Sequence, residues 1–275
     1  MMDSLTGRIA AYRNTAAHNE ALYEEFTRLT DSVEFLKRHR DFVEANDWGF
    51  GDRAFHYMWL MLLSDANRRS RPVRALEIGV YKGQVISLWA LIAKQMRIDL
   101  EITGISPFEG NAKPMSRLRR KVRRMMDPRY RRDAEAGNLY LEDDYLGKVS
   151  KIFATFDLGL GHCRLIKGRS NDPAIAASLN SERFSIIYID GDHTFEGVRS
   201  DIRSYAPLLE EGGYLVMDDA SCFLPGSTFW KGRESVSRAC EELPQLGFEN
   251  VLNVGHDRIY TQVTSVDTGS RHATG

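Results

Sequence analysis

The sequence predicts an α/β fold with a mostly parallel seven-stranded sheet that ends in an antiparallel hairpin. We expect helices on both faces of this sheet and a helical extension before its first strand. Three observations lead to this prediction. From residue 73 onwards, short apolar segments alternate with helical ones; a short glycine-containing turn separates the last two apolar segments; and apolar residues recur at helical spacing before residue 70.

The segments that we predict as strands are Val73–Ile78, Glu101–Ile105, Cys163–Lys167, Ser185–Ile189, Gly213–Met217, Phe248–Val254 and Arg258–Val263. Most of the first five are continuous apolar runs, which is typical of parallel strands covered on both faces. Helical segments lie between and after them, at Gln84–Arg97, Pro173–Leu179, Phe195–Leu209 and Gly232–Glu242. This alternation favours a parallel, doubly wound sheet. The turn Gly255-His-Asp257 predicts the closing hairpin.

The helical N-terminal extension covers residues 1–70. Its first helix is predicted over Glu20–Arg40, where apolar residues recur every three or four positions, namely Leu22, Phe26, Leu29, Val33 and Leu36. The break at Asn46–Gly51 precedes a second helix, Asp52–Leu63. This second helix either packs against the sheet or forms a lid or a dimer surface. A homo-oligomer is therefore one possible state of the protein.

A helical basic insertion is predicted at about residues 107–140, inside a domain that we place at residues 71–264. A structureless loop of the length that separates Ile105 from Cys163 is rare in a compact domain. We therefore predict an inserted helix, Met115–Met126, and a crossover helix, Glu142–Phe156. The basic residues of the insertion are Arg117, Arg119, Arg120, Lys121, Arg123, Arg124, Arg129, Arg131 and Arg132. These basic residues could bind nucleic acid, or they could lie on a helix that faces solvent or another subunit. The scarcity of aromatic residues favours the second interpretation.

The composition narrows the class of protein. The 275 residues carry a net charge of −1, and the three cysteines form no CxxC pair. The start of the chain lacks the apolar core of a signal peptide, and the longest apolar run, Tyr57–Leu63, is too short to span a bilayer. We expect a soluble, cytoplasmic protein without a membrane or nucleic-acid partner. Residues 265–275 are expected to form a disordered tail.

The first predicted strand leads into a glycine turn that contains Glu77, Gly79, Val80, Tyr81 and Gly83. Gly79 permits a sharp turn that approaches a ligand without an intervening Cβ, and Gly83 lets the next helix begin beside that ligand. Glu77 is placed to orient a cationic ligand group. In open α/β sheets, ligands bind at the carboxyl ends of the strands. The G-x-x-x-G spacing departs from the G-x-G-x-x-G of dinucleotide-binding folds, which disfavours NAD.

The strongest signal lies after the fourth and fifth strands, where Asp190, Asp192 and His193 follow one strand and Asp218 and Asp219 follow the next. Because adjacent strands lie ~4.8 Å apart, the first Asp and the later pair are expected to converge. Carboxylates packed together repel one another, and a hard divalent cation such as Mg²⁺ offsets this repulsion. The competing interpretation is that these residues cap strands and helices, with Asp192 capping the helix that follows it.

The glycine turn and the acidic stretches resemble class I S-adenosylmethionine (SAM)-dependent methyltransferases. Within that class they resemble the metal-dependent O-methyltransferases that include antibiotic-sugar O-methyltransferases. The specific parts are Asp190-Gly-Asp-His-Thr-Phe-Glu-Gly197 and Gly212-Gly-x-x-x-x-Asp218-Asp219. The resemblance covers about Val73 to Val263 and implies a Rossmann-like sheet.

The resemblance also implies roles for individual residues. The residues that it assigns to SAM are Glu77, Gly79, Val80, Tyr81, Gly83, Ser106, Ser170 and Asp190. The residues that it assigns to Mg²⁺ are Asp190, Asp218 and Asp219. Asp192 is implied as the general base, and His193 is the competing base. Ser106 stands where relatives carry an acid for the ribose hydroxyls, and Glu109 is a candidate substitute.

The sequence thus predicts a SAM-dependent, Mg²⁺-assisted O-methyltransferase that acts on a small-molecule hydroxyl, in a sugar or a polyhydroxylated natural product. One alternative is an RNA methyltransferase that uses Arg117–Arg132 as a phosphate track. Another is a catalytically inactive SAM-fold binding module. The loop Ala220–Lys231, with Phe223, Phe229 and Trp230, is a candidate to close over the acceptor or a packed surface loop. We interpret His56, His162 and His256 as structural, because none has a partner at ligand spacing.

Overall fold

The computed structural model describes residues 4–226 and 230–263. Four helices precede the sheet: α1 (Leu5–Ala11), α2 (Ala16–Ser32), α3 (Glu34–Asn46) and α4 (Ala54–Arg69). The predicted tail at residues 265–275 and Phe229 of the predicted covering loop lie outside the described residues. No helix of the described ranges has the length and apolar character needed to cross a membrane.

The single helix predicted over Glu20–Arg40 is wrong, because the chain bends at Val33 into α2 and α3. Val33 has an extended backbone (φ −102°, ψ 103°), and its N–H donates to Leu29 and Thr30. The Thr30 hydroxyl donates to the carbonyl of Arg53 at 2.8 Å, which ties the end of α2 to the start of α4. The bend lets the apolar sides of α2 and α3 both reach the same core.

Seven strands form one sheet: β1 (Val73–Ile78), β2 (Leu100–Ser106), β3 (Cys163–Lys167), β4 (Phe184–Ile189), β5 (Leu209–Met217), β6 (Phe248–Val254) and β7 (Asp257–Gln262). Their order is β3-β2-β1-β4-β5-β7-β6. Strands β1 to β5 are parallel, whereas β7 is antiparallel to both β5 and β6. The predicted mostly parallel sheet with a closing antiparallel hairpin is confirmed.

The helices after β1 are α5 (Gln84–Met96), α6 (Arg117–Met126), α7 (Pro128–Ala136), α8 (Tyr145–Thr155), α9 (Pro173–Leu179), α10 (Phe195–Tyr205) and α11 (Glu234–Ala239). The insertion therefore holds two helices where one was predicted. Pro128 cannot donate to a continuing helix, so Asp127 starts a new one by accepting from the N–H of Tyr130 at 3.0 Å.

Several predicted helix bounds are wrong. The helix predicted over Asp52–Leu63 spans Ala54–Arg69, and the helix predicted over Glu142–Phe156 spans Tyr145–Thr155. The helix predicted over Phe195–Leu209 stops at Tyr205, because Pro207 converts the next residues into a 3-10 turn and β5 starts at Leu209. The helix predicted over Gly232–Glu242 begins at Glu234 instead, since Gly232 has φ +89°. It ends at Ala239 and continues as a 3-10 turn.

Apolar side chains cover both faces of the sheet, as predicted. On one face, Trp59 of α4 packs against Trp89 of α5 and Tyr188 of β4, with ring centroids 5.0 and 5.1 Å apart. On the other face, strand residues such as Leu215 pack against Tyr205 of α10. Because the helices after β1 and β4 lie on opposite faces, a crevice opens between the carboxyl ends of these neighbouring strands.

Candidate active site

The turn after β1 is pressed against the loop after β4. Gly79 has φ +105°, and a Cβ on it would lie 1.8 Å from the carbonyl oxygen of Asp190. Gly83 has φ +87°, and a Cβ on it would lie 2.9 Å from a methyl group of Val149. A side chain at either position would have an unfavourable backbone conformation and a close contact, with the backbone of Asp190 at Gly79 and with Val149 at Gly83.

A cleft of about 520 Å³ opens beside this turn. The predicted site residues that border it are Gly79, Tyr81, Ser106, Ser170, Asp190 and Asp192. Glu109, the candidate substitute at the end of β2, also borders it and pairs with Lys167 at 3.1 Å. Val80 does not line the cleft, because its side chain is buried against β2 beside Gly104.

Glu77 ends up inside the protein. It is 2% exposed, and its Oε2 has no hydrogen-bond partner among the described residues. Burial raises the pKa of Glu77 to about 8, although the N–H of Ile86 stabilises the charged form. Near neutral pH the carboxyl group therefore carries a proton in the folded chain, which suits a hydrogen-bonding role better than an ion pair.

We expect Glu77→Gln to remove a pH dependence of stability. Between the ordinary pKa of 4.5 and the raised pKa of about 8, the folded chain binds more protons at Glu77 than the unfolded chain does. The free energy of unfolding therefore falls as pH rises through this window, and Gln escapes that loss. Urea unfolding measures this effect. From pH 5 to pH 9, the free energy of unfolding of the variant should rise by on the order of 3 kcal/mol relative to that of the parent.

Glu101→Gln is the matched control, because that carboxylate is exposed on the neighbouring strand β2 and pairs only at the surface with Arg74. It should leave the pH profile unchanged. A stability difference between Glu77→Gln and the parent that stays constant from pH 5 to pH 9 would contradict a raised pKa at Glu77.

The acidic residues converge at the carboxyl ends of β4 and β5. His193 Nε2 lies 3.4 Å from Asp190, 4.0 Å from Asp218 and 3.7 Å from Asp219. Ligand atoms of Asp190, His193 and Asp218 all lie within 4.8 Å of one another. Nε2 of His193 is buried and has no hydrogen-bond partner among the described residues. This group has the donor types and spacing that can hold a divalent cation.

The carboxylates of this cluster repel one another, and their pKa values are shifted. Burial and the neighbouring Asp218 raise the pKa of Asp190 well above its usual range. Burial and the same neighbour raise the pKa of Asp219. The pKa of Asp218 is lowered: burial opposes this, but His256 together with hydrogen bonds to Asp257 and Asp190 outweighs burial. A carboxylate cluster with raised pKa values is stabilised by a positive charge placed among its oxygens.

Asp219 already has partners. Its Oδ1 accepts from the indole of Trp230 at 2.9 Å, and its Oδ2 accepts from Nε of Arg233 at 3.1 Å. Its backbone is also left-handed (φ +53°). These contacts fix the loop after β5 beside the cluster, and sequence reasoning did not anticipate Arg233.

Asp192 is not one of the residues grouped around the candidate cation site. Its Oδ1 accepts from Nδ2 of Asn138 at 2.7 Å and from the N–H of Thr194 at 2.8 Å. Thr194, not Asp192, caps α10, so the capping role considered for Asp192 is wrong. Nδ1 of His193 lies 3.3 Å from Oδ1 of Asn138. Asn138, at the end of the insertion, thus contacts both candidate bases, and no motif in the sequence marked it.

The interpretation of His256 as a residue without a partner is wrong. Its Nε2 lies 3.3 Å from Oδ1 of Asp218, and Asp257 lies beside it, fully buried. The topology contained a signal for this contact. Strand β6 runs in the same direction as β5, so the turn between β6 and β7 returns to the edge of the sheet that carries Asp218. His56, in contrast, is buried in the core against His39 at 3.0 Å.

A family model described as a methyltransferase domain matches residues 76–220, which is more than half of the chain. The matched range contains the Gly79 turn, the Asp190–His193 stretch and the Asp218–Asp219 pair. The chain belongs to this methyltransferase-domain family. The predicted class, a methyltransferase, is thereby confirmed.

Solved structures share the fold of this methyltransferase at low sequence identity. The O-methyltransferase NovP has a TM-score of 0.54 and 19% identity, over 76% of this chain and 79% of that chain. TomG of Streptomyces achromogenes, an O-methyltransferase in tomaymycin synthesis solved with SAM, has a TM-score of 0.53 and 13% identity, over 90% and 99%. PaMTH1 of Podospora anserina, bound to S-adenosylhomocysteine (SAH), has a TM-score of 0.50 and 14% identity, over 96% and 97%. No curated protein matches the chain in sequence.

Proposed function

We propose that this methyltransferase transfers the methyl group of SAM to a hydroxyl of a small sugar-bearing or polyhydroxylated acceptor, with the assistance of a divalent cation. The observation that carries the proposal is the convergence of Asp190, His193 and Asp218 beside a cleft that also exposes the Gly79 turn. Two solved structures that share the fold are O-methyltransferases, which agrees with oxygen as the methyl acceptor.

The residues present fit a cation. Asp190 and Asp218 offer carboxylate oxygens, and Nε2 of His193, which hydrogen-bonds to no described residue, lies 3.4 and 4.0 Å from them. Asp219 completes the set if it exchanges its contact with Arg233. A bound Mg²⁺ or Mn²⁺ lowers the pKa of a coordinated hydroxyl and fixes its orientation.

The cofactor half of the cleft is proposed to lie between Gly79, Ser106 and Ser170. Gly79 brings backbone close to the ligand, and Ser106, 7% exposed, ends β2 where a ribose hydroxyl needs a polar partner. Ser106 lacks a charge, so Glu109 on the adjoining loop is the acidic partner that we propose for the ribose.

We propose Asp192 as the general base. Asp192 borders the cleft and His193 does not. Asn138 and the N–H of Thr194 hold one oxygen of Asp192, which leaves Oδ2 to accept the proton of the acceptor hydroxyl. A base held in a fixed orientation can take this proton as the oxygen attacks the methyl group.

No observation favours the RNA alternative. Tyr130 is the sole aromatic residue of the segment 117–132, and it is 7% exposed, so it offers no stacking platform for bases. Arg123 and Arg124 pair with acidic residues of the insertion itself, Asp127 and Glu135.

The test is methyl transfer from radiolabelled SAM to a panel of glycosides and polyols, with Mg²⁺ or with EDTA. We expect EDTA to lower the rate at least about 100-fold, because a cation supplies several kcal/mol to the transition state, and Mn²⁺ or Mg²⁺ to restore it. SAH binding measured by calorimetry should persist in EDTA. A rate of methyl transfer that EDTA does not change would refute cation assistance. A chain that does not bind SAH would favour the alternative of a catalytically inactive binding module.

A further inference from the structure

The turn between β6 and β7 reaches Asp218 from outside the cleft. Oδ1 of Asp218 lies 3.3 Å from Nε2 of His256, whereas Oδ2 is the oxygen that faces His193, at 4.0 Å. The two oxygens of one carboxylate therefore have different neighbours. One is engaged by the hairpin, and the other is left for the group that contains Asp190.

The imidazole of His256 is held in place from several sides. It is 5% exposed, and the ring of Phe55 packs edge-on against it, with centroids 4.6 Å apart and planes at 85°. The backbone carbonyl of His256 accepts from the N–H of Ala220 at 2.9 Å and lies 3.4 Å from the hydroxyl of Ser221. These contacts connect the hairpin turn directly to the loop that carries Asp218.

The N-terminal extension supports the same turn. Asn19 of α2 donates from Nδ2 to the carbonyl of Gly255 at 2.9 Å. Oδ2 of Asp52, just before α4, lies 3.9 Å from Nδ1 of His256, a buried nitrogen with no hydrogen-bond partner among the described residues. Tyr23 of α2 hydrogen-bonds to Asp52 in turn. Asp52 thus faces the Nδ1 side of the ring and Asp218 faces the Nε2 side, and a ring held between two carboxylates presents an N–H to Asp218 from Nε2.

We propose that His256 is a positioning residue that fixes the carboxylate of Asp218 for cation binding, and that α2 and the start of α4 belong to this site because they hold His256. The inference rests on the proposed cation-assisted function and deepens it. A carboxylate at a strand end can rotate, and holding one of its oxygens directs the other. Partners that orient a metal ligand in this way are worth about 10- to 100-fold in metal affinity.

A second cation is the rival arrangement for these residues. Ligand atoms of Asp218, His256 and Asp257 also lie within 4.8 Å of one another, and no described residue donates a hydrogen bond to either oxygen of the fully buried Asp257. None of these three residues borders the cleft, whereas Asp190 of the first group does, so the first group is the one placed next to the acceptor. The stoichiometry of Mn²⁺ binding separates the two arrangements.

The experiment measures Mn²⁺ affinity and stoichiometry by electron paramagnetic resonance, using the full chain, three variants and one control variant. His256→Leu removes the contact and should weaken Mn²⁺ binding about 10- to 100-fold. His256→Gln keeps an amide N–H near the position of Nε2 and should restore most of the affinity. Asp52→Asn should weaken binding by a smaller factor. SAH affinity should stay unchanged in all three, and His162→Leu, on an exposed histidine, is the control.

Rescue by Gln together with retained SAH binding distinguishes positioning from a general loss of folding. Wild-type Mn²⁺ affinity in His256→Leu would overturn the inference while leaving the proposed function intact. Two Mn²⁺ ions per unsubstituted chain, reduced to one in His256→Leu, would overturn it in favour of the second cation. An unsubstituted chain that binds no Mn²⁺ would refute the cation-assisted function itself and the inference with it.

Discussion

Asp218→Asn is expected to lower methyl transfer by about 10³-fold or more and to abolish tight Mn²⁺ binding. Among the described residues, Asp218 alone belongs to both groups of ligand-type side chains, the one with Asp190 and His193 and the one with His256. Asn has nearly the same size, so packing is kept while the charge is lost. The amide also has one acceptor oxygen, which cannot serve the hairpin and a cation together.

The measurements are the rate of transfer with the best acceptor of the panel, Mn²⁺ affinity and SAH affinity. SAH binding should stay close to that of the parent, because the cofactor half of the cleft does not include Asp218. Asp157→Asn is the control, since that side chain is 99% exposed and pairs with Lys94. Retention of more than about a tenth of the activity by Asp218→Asn would be incompatible with a ligand that supplies several kcal/mol.

Gly79→Ala is expected to be the most damaging single-methyl change in the chain. Its Cβ would lie 1.8 Å from the carbonyl oxygen and 2.5 Å from the carbonyl carbon of Asp190, and both are backbone atoms that cannot rotate aside. The φ of +105° adds strain that an alanine cannot relieve. We expect the free energy of unfolding to fall by roughly 2–4 kcal/mol, from the combined clash and strain.

The same substitution should weaken both SAH and Mn²⁺ binding. The N–H of Asp190 donates to the carbonyl of Ile78 at 2.8 Å, so the turn and the first cation-binding residue are held together by backbone. Separating the turn from Asp190 displaces both the proposed cofactor site and the proposed cation site. Because the backbone at these sites would move by about 1 Å, we expect at least about a tenfold loss in the affinity for SAH and in the affinity for Mn²⁺.

Gly161→Ala is the matched control for Gly79→Ala. A Cβ at Gly161 would meet no atom within 4 Å, and its backbone is not left-handed. Its effect should stay within about 0.5 kcal/mol, as is usual for surface substitutions. Calorimetry with SAH and urea unfolding measure both variants. Equal stabilities for the two alanine variants would mean that the Gly79 turn does not need a glycine.

The sheet and half of the site could be predicted because their signals are local. Buried parallel strands are short apolar runs, and every predicted strand is present with small shifts at its ends. Residues that directly follow such strands must meet at one edge of the sheet, which is why Asp190 and Asp218 could be paired in advance. Helix ends were less well predicted. The bend at Val33 depends on backbone geometry that apolar spacing does not reveal, whereas Pro207 is a local signal that an argument from apolar spacing does not use.

The chain's own sequence determined the fold class, the glycine turn at Gly79 and the acidic edge, because each depends on residues that are neighbours along one strand. The tertiary structure alone decided which residues surround that edge. His256 lies in a hairpin turn 38 positions after Asp218. Asn138 lies in the insertion, and Asp52 lies in the extension before the sheet. Contacts between segments so distant in sequence leave no periodic or spacing signal, since they depend on how the segments pack and on where each backbone turns.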